Sequence, residues 1–278
     1  MIPKVSDLRT AAAKVVRRGS RTILLTEEWP KFGNFMYFWL HAYACQQAGR
    51  NYRILTNRST EAWLNGLPEV RKHLTVTRQE IRLWDRREWP PAPEYFQRFG
   101  SSFDSTTLDS FIREMVLGSP LMAPALLPDL GDEMVVNIRR GDYYSNPGHR
   151  ENFGFDIEPY LRESLRRASG REAISGLKVV SDDIVWCQQN VDHVLHEYSE
   201  AVSYARRDST PQDDFRSICC ARTLICANST FSYWGGYVST VLHGGASHVI
   251  APDFHSRNIN EGAAYQLDDR WDVVAVPR

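Results

Sequence analysis

Three apolar runs in this chain each end in a polar cluster, and the groups able to do chemistry are concentrated there. Met134-Val135-Val136-Asn137-Ile138 leads into Arg139-Arg140-Gly141-Asp142-Tyr143, and Leu177-Lys178-Val179-Val180 leads into Ser181-Asp182-Asp183. Leu224-Ile225-Cys226-Ala227 leads into Asn228-Ser229-Thr230. An arginine at a strand end offers phosphate oxygens a planar fork of donors that lysine cannot copy. Either one of Arg139 and Arg140 faces a ligand while the other pairs with Asp142, or the group is a structural Arg–Asp bridge across a turn. Hydroxyls and N–H groups where a strand turns into a helix make an anion site, assisted by the helix dipole; the alternative is a plain Ser/Thr cap. In open α/β sheets ligands bind outside the carboxyl ends of the strands. Three such ends together suit an anionic, hydrogen-bond-rich ligand, and a nucleotide diphosphate fits best.

Further clusters add to this. In Asp213-Asp214-Phe215-Arg216-Ser217-Ile218-Cys219-Cys220, capping of a helix explains one acid. The other carboxylate could accept both N1–H and N2–H₂ of guanine, which adenine cannot offer. Asp182-Asp183 invites a metal reading but lacks Asp-X-Asp spacing, so capping of the next helix and contact with a nucleoside are preferred. In Phe32-Gly33-Asn34 the glycine lets backbone approach a ligand, and Asn34 supplies a donor and an acceptor.

The elements that must position these groups follow an α/β pattern. The composition of residues 5–19 predicts a surface helix. A strand over 22–26, a loop through Asn34 and a helix from Phe35 to Gln47 stopped by Gly49 come next, then a strand over 52–56, forming one βαβ unit. Residues 61–130 are less patterned, with short elements near 70–76 and 81–84, a Pro-rich loop at 89–93, a helix over 106–117 and a connector marked by Pro120, Pro124 and Pro128. From 134 strands and helices alternate: strands at 134–138, 177–180, 201–204, 223–227 and 247–251, helices at 157–169, from about 183, at 212–222 and at 231–243. The expected domains are 1–130 and 131–278, the second a doubly wound α/β domain.

Composition narrows the function. The 278 residues carry a formal net charge of −1, so no global basic field draws the chain to nucleic acid or to an anionic membrane, and phosphate recognition must be local. The five cysteines, 45, 187, 219, 220 and 226, show no metal-ligand spacing and read as reduced, mostly buried thiols. The basic N-terminus lacks a following apolar core, and the longest apolar stretch, Phe35 to Cys45, is too short to span a bilayer. A soluble cytoplasmic protein is expected, with peripheral membrane association left open.

Taken in order, these motifs resemble the bacterial α-1,2-fucosyltransferase family. That family has a Gly-Asn turn before an aromatic-rich helix, then His-X-Arg-Arg-Gly-Asp, Ser-Asp-Asp followed by Trp-Cys, Asp-Phe with a later Cys, and Asn-Ser-Thr-Phe-Ser-Trp-Trp. The matching residues here are Gly33-Asn34, Asn137-Ile138-Arg139-Arg140-Gly141-Asp142, Ser181-Asp182-Asp183 with Trp186-Cys187, Asp214-Phe215 with Cys220, and Asn228-Ser229-Thr230-Phe231-Ser232-Tyr233-Trp234. The resemblance implies a GT-B-like fold of two Rossmann-like halves with parallel sheets, the N-terminal half facing a glycan acceptor and the C-terminal half binding a nucleotide sugar. It implies GDP-fucose as donor, no cofactor, no metal and inversion at the sugar. Carried over by position, Arg139 holds the β-phosphate, Asp214 reads guanine, and Ser229 and Thr230 cradle the diphosphate. Gly33 and Asn34 border the fucose. Asn137, Arg140, Ser181, Asp182, Asn228 and Phe231 complete the donor site, and Asp142, His149 and Glu151 are candidate bases. Two departures stand out: Asn137 replaces the family's histidine, and Tyr233 its first tryptophan. A related transferase for another nucleotide-linked deoxysugar, or a relative that binds without turnover, are the alternatives.

Overall fold

The computed structural model describes residues 21–91, 94–206 and 208–276, so the helix expected over 5–19 lies outside the described residues. Two compact units divide the chain, Met1–Phe96 and Gln97–Arg278. Each is built on a parallel sheet, the α/β class expected from the alternation of strands and helices.

In the first unit β1 (Thr22–Leu24), β2 (Tyr52–Leu55), β3 (Thr75–Val76) and β4 (Arg86–Glu88) form a sheet in the order β3-β2-β1-β4, all parallel. Between β1 and β2 runs α1 (Phe32–Gln47), apolar around most of its circumference and buried from Phe35 to Leu40. Such a helix belongs to a core, not a surface. Gly49, at φ +74°, ends it in the left-handed conformation that glycine alone adopts cheaply, and its N–H bonds to the Gln46 carbonyl. The helix begins three residues earlier than expected. Extended Lys31 caps it and its carbonyl accepts N–H bonds from Asn34 and Phe35, so Gly33 and Asn34 lie in the first turn instead of a preceding loop. Short helices α2 (Glu61–Gly66) and α3 (Pro68–Leu74) fill part of the region that the sequence pattern left open.

The second unit holds a six-stranded parallel sheet in the order β10-β9-β8-β5-β6-β7. Its strands are β5 (Glu133–Ile138), β6 (Gly176–Ser181), β7 (Val202–Tyr204), β8 (Thr223–Ile225), β9 (His248–Pro252) and β10 (Asp272–Val274). Buried on both faces, β5 reads as a continuous apolar run, as parallel strands under two helix layers do. The α4 helix (Ser105–Phe111) continues into a π-helical turn over Ile112–Leu117. Short α5 (Gly141–Ser145) and α6 (Pro147–Phe153) follow β5 where the sequence suggested only a polar loop. Then come α7 (Ile157–Ser169), α8 (Ile184–Asn190), α9 (Asp192–His196), α10 (Pro211–Cys220) and α11 (Thr230–Leu242). Among these, α7 is the clearest amphipathic helix, capped by Asp156 and burying Ile157, Tyr160, Leu161, Leu165 and Ala168.

The boundary placed at residue 130 from its prolines differs from the division of the fold. Residues 97–130 pack with the C-terminal unit: Phe111 lies edge-on to Trp234 and Phe103 to Tyr237. Arg216 Nε donates to the Leu121 carbonyl at 2.7 Å, and Arg270 pairs with Asp109 at 3.0 Å. Proline marked a connector within the unit, not its edge. Among the described residues no helix is long and apolar enough to cross a membrane.

Candidate functional site

Strand order locates the site before any side chain is considered. From β5 the chain moves outward through β6 and β7, then returns to place β8 on the other flank of β5. This reversal opens a crevice at the carboxyl ends of β5 and β8, the place where open α/β sheets bind ligands. Register then sets the residues level with one another. Val136 pairs with Ile225, which aligns Arg139 with Asn228; Ile138 pairs with Ser181, which aligns Arg139 with Asp182.

Arg139 is held by two carboxylates. Its Nη1 lies 2.6 Å from Asp182 Oδ2 and its Nη2 donates to Asp142 Oδ1 at 2.5 Å. The guanidinium also sits 5.2 Å from the centroid of the Tyr143 ring. Asp182 is a bracket, because its other oxygen accepts the Arg140 backbone N–H at 2.7 Å. Gly141 is required by this bracket: a Cβ there would meet Asp182 Oδ2 at 2.2 Å. The two arginines therefore divide differently from the expected scheme. The phosphate candidate, Arg139, is itself the partner of Asp142, whereas Arg140 lies 3.9 Å from the Tyr144 ring and 4.0 Å from the Trp186 ring. Arg140 lines a neighbouring groove with Arg150, Glu151, Trp186 and Arg257.

At the end of β8, Ser229 is the N-cap of α11, yet its hydroxyl makes no capping bond. Instead it meets the Tyr143 hydroxyl, whose titration burial pushes up to about 12. Ser232 takes the local hydroxyl role, its Oγ accepting the Ala227 N–H at 3.0 Å. The first-turn N–H groups of a helix have no intrahelical acceptor and favour an anion. Thr230 and Phe231 open that turn, and Phe231 is edge-on to Phe215 at 5.3 Å.

Other expected site residues have structural duties. Asn137 is buried and donates from Nδ2 to the Val180 carbonyl at 2.9 Å, stitching β5 to β6. Asn228, 2% exposed, donates to the carbonyls of Phe153 and His255 at 2.8 and 3.0 Å. Ser181 accepts the Asp183 N–H at 3.0 Å, and Asp183 caps α8 through the Trp186 N–H. The paired acids of α10 separate cleanly. Asp213 forms a capping box with Thr210, while Asp214 accepts a bond from the Ser209 hydroxyl at 2.8 Å in a cleft shared with Lys178 and Tyr204. Burial is the largest influence on the Asp214 carboxyl and raises its pKa, with the charges of Asp213 and Asp182 adding to the rise. Of the candidate bases, Asp142 touches Arg139 and lies 3.9 Å from His149, while Glu151 lines the groove of Arg140. Gly33 and Asn34 belong to the other compact unit.

Sequence reasoning passed over Tyr143, Phe153 and His255. Tyr143 stacks on Phe153 at 4.4 Å, and Phe153 is edge-on to His255 at 5.9 Å. His255 is fully buried and burial lowers its pKa to about 4, so it is neutral near pH 7. Tyr143 adjoins the arginine motif and carried a readable signal. Nothing local marks His255, which arrives from the loop after β9.

Fold and geometry define a parallel α/β protein whose C-terminal sheet carries, at its switch point, an arginine held by two carboxylates and the start of a helix. The chain belongs to glycosyl transferase family 11, whose model matches residues 94–268. It is 34% identical over 103 residues to an alpha-1,2-colitosyltransferase of Escherichia coli, covering 37% of this chain and 35% of that protein. It is 29% identical over 105 residues to the O-antigen biosynthesis glycosyltransferase WbnK of Escherichia coli, covering 38% and 34%. With galactoside alpha-(1,2)-fucosyltransferase 1 of Alouatta belzebul it shares 25% identity over 130 residues, covering 47% and 33%. Each match spans about a third of the relative's length. Among solved structures, E. coli heptosyltransferase WaaC with ADP aligns over 92% of this chain and 93% of that chain, with TM-score 0.46 and 13% identity. POFUT1 in complex with GDP aligns over 87% and 77%, with TM-score 0.32 and 12% identity. At these scores the likeness carries no statement about the site.

Proposed function

We propose that this chain is an inverting glycosyltransferase that moves L-fucose from GDP-fucose to a glycan hydroxyl, forming an α-1,2 linkage in a surface polysaccharide without a metal ion. The observation that carries the reading is Arg139, fixed by Asp182 at the switch point and level in register with Asn228, which leads into α11. Breaking the fucosyl–phosphate bond develops negative charge on GDP. Preorganised donors aimed at that charge contribute most in the transition state. Arg139 and the first-turn N–H groups of α11 are such donors. In this reading they take the part that a divalent ion plays elsewhere, since both Asp182 oxygens are committed to the Arg140 N–H and to Arg139, and Asp183 Oδ1 accepts the Trp186 N–H. Asp142 stands beside Arg139 to receive the acceptor proton, and a dissociative transition state asks little of a base. The names of the relatives support the linkage and the surface glycan.

The acceptor side is assigned to the N-terminal unit. Its strand order also reverses, at β1 and β4, and Trp29 and Trp89 follow those two strands with 51% and 63% of their surface exposed. Asn57, buried, donates to the carbonyls of Glu27, Glu28 and Pro30 and so fixes the loop that presents Trp29. Exposed aromatic faces on a fixed loop suit stacking against a sugar.

The colitosyltransferase relative favours a second reading, transfer of another GDP-linked deoxysugar. One experiment tests both: calorimetry and thermal shift with GDP, ADP, UDP, GDP-fucose and further GDP-deoxysugars, with and without EDTA. Binding of GDP and GDP-fucose alone, unchanged by EDTA, is expected. Tighter binding of another GDP-deoxysugar would select the second reading. A response to no guanine nucleotide, or one abolished by EDTA, would overturn the assignment of the site.

A further inference from the structure

We propose that the Leu83-Trp84 turn of the N-terminal unit is a docking tip for an anionic membrane surface. The turn connects the crossover from β3 to the start of β4, and its two apolar residues point away from the protein: Leu83 is 93% exposed and Trp84 59%. Two adjacent large side chains left so bare oppose the hydrophobic effect unless something covers them.

The turn is built, not slack. Asp85 closes it from both ends, its N–H donating to the Arg82 carbonyl at 3.1 Å and its Oδ2 accepting the Arg82 N–H at 2.7 Å. Asp85 is buried and is anchored in turn by Arg21 at 2.8 Å. Arg21 also donates to the Glu80 carbonyl. Leu83 and Trp84 are thus held out at the apex of a ring of hydrogen bonds.

Charge identifies the occupant. Arg82, Arg86 and Arg87 are exposed around the tip; of the acids nearby, Asp85 is buried against Arg21, and Glu80, though exposed, turns its carboxylate back onto the Thr77 N–H and hydroxyl. Glu88, at the far end of β4, pairs with Arg86 at 3.0 Å. An apolar tip ringed by arginine matches an anionic lipid interface, where Trp and Leu enter the acyl boundary and Arg meets the headgroups. The first 20 residues of the sequence carry Lys4, Arg9, Lys14, Arg17 and Arg18 against the single acid Asp7, a composition that an anionic surface also attracts. A polynucleotide satisfies the arginines but gives Leu83 no apolar environment.

The test is co-sedimentation of the full chain with vesicles of phosphatidylglycerol and phosphatidylcholine, against phosphatidylcholine alone. Binding to the anionic vesicles is expected, weakening as salt screens the arginines. The variant Leu83→Ser/Trp84→Ser should weaken it about tenfold or more, and Arg82→Ser/Arg87→Ser should do so independently, both with unchanged melting and GDP response. Because all four positions are exposed, neither variant threatens the fold. The proposal is overturned by no binding, by equal binding to neutral vesicles, or by variants that bind as the parent does. It is equally overturned if Leu83→Ser/Trp84→Ser dissolves a dimer in solution, or if a single-stranded oligonucleotide binds as tightly as the anionic vesicles and is released by the arginine variant.

Discussion

Arg139 can lower a barrier only if its guanidinium is already aimed when charge develops on the leaving diphosphate. Asp182 does the aiming by joining the Arg140 backbone N–H to the Arg139 side chain, and Gly141 makes room for it. Arg139→Ala should therefore reduce kcat about 10²–10³-fold, the cost of removing one preorganised donor, with the acceptor KM little changed. Steady-state kinetics with GDP-fucose check this, and near-normal turnover would remove Arg139 from the reaction. Asp214 gives a pH prediction. Burial raises its pKa above the ordinary aspartate range, so on acidification it takes up a proton earlier than an exposed aspartate does. If its carboxylate accepts the guanine N–H groups, GDP affinity is full above that raised pKa and falls as pH drops through it. For folding the sign is reversed. The native state binds this proton more tightly than the unfolded chain, so ionised Asp214 costs stability above its raised pKa. Asp214→Asn should then keep or raise the neutral-pH melting temperature while erasing the preference for GDP over ADP. Calorimetry across pH on both forms decides it, and unchanged selectivity in the variant would release Asp214 from base recognition.

At the scale of elements, what was legible in the sequence depended on whether one strand or helix carried its own signal. The six-residue run of β5, the amphipathic α7 and the apolar α1 are local patterns, and each was found there, α1 beginning three residues ahead of its apolar run. The short strands β3, β4 and β10 were not, because two or three residues cannot show a period and their pairing comes from neighbours distant in sequence. The same distinction applies within the site. Arg139, Asp142 and Ser229 stand out because charged and hydroxyl groups closing a buried strand are conspicuous. The bracket role of Asp182 was hidden because it depends on the register of β5 with β6. Likewise Asn137 and Asn228 looked like ligand groups, and only the fold shows them donating to carbonyls of other segments. Helix packing supplies a stability prediction. A Cβ on Gly235, in α11, would meet Ile218 Cγ2 of α10 at 2.2 Å. Gly235→Ala should cost about 1–3 kcal/mol from overpacking, and adding Ile218→Ala should return part of it. Chemical denaturation of the two single variants and the double one measures the coupling. Additive losses would mean the helices separate instead of clashing.

At the scale of the whole molecule, the division of labour between the units can be read from exchange. Nearly all expected donor residues lie in the unit Gln97–Arg278, while Gly33, Asn34 and the exposed tryptophans Trp29 and Trp89 lie in Met1–Phe96. GDP carries the phosphates and the base but no sugar, so it should engage the C-terminal unit alone. Ligand binding to the native state suppresses local opening, and amides near the ligand gain protection first. Hydrogen exchange with GDP should therefore slow amides over 137–143, 181–187 and 228–234 and leave 22–40 unchanged. If Asn34 borders the fucose, as the family resemblance implies, GDP-fucose should slow the same segments and, in addition, the first turn of α1 around Asn34. Protection of Asn34 by GDP alone would transfer that residue from sugar to diphosphate. Failure of GDP-fucose to protect it would detach the N-terminal unit from the donor and leave it to the acceptor, with Trp29 and Trp89 as the groups to follow in the same measurement.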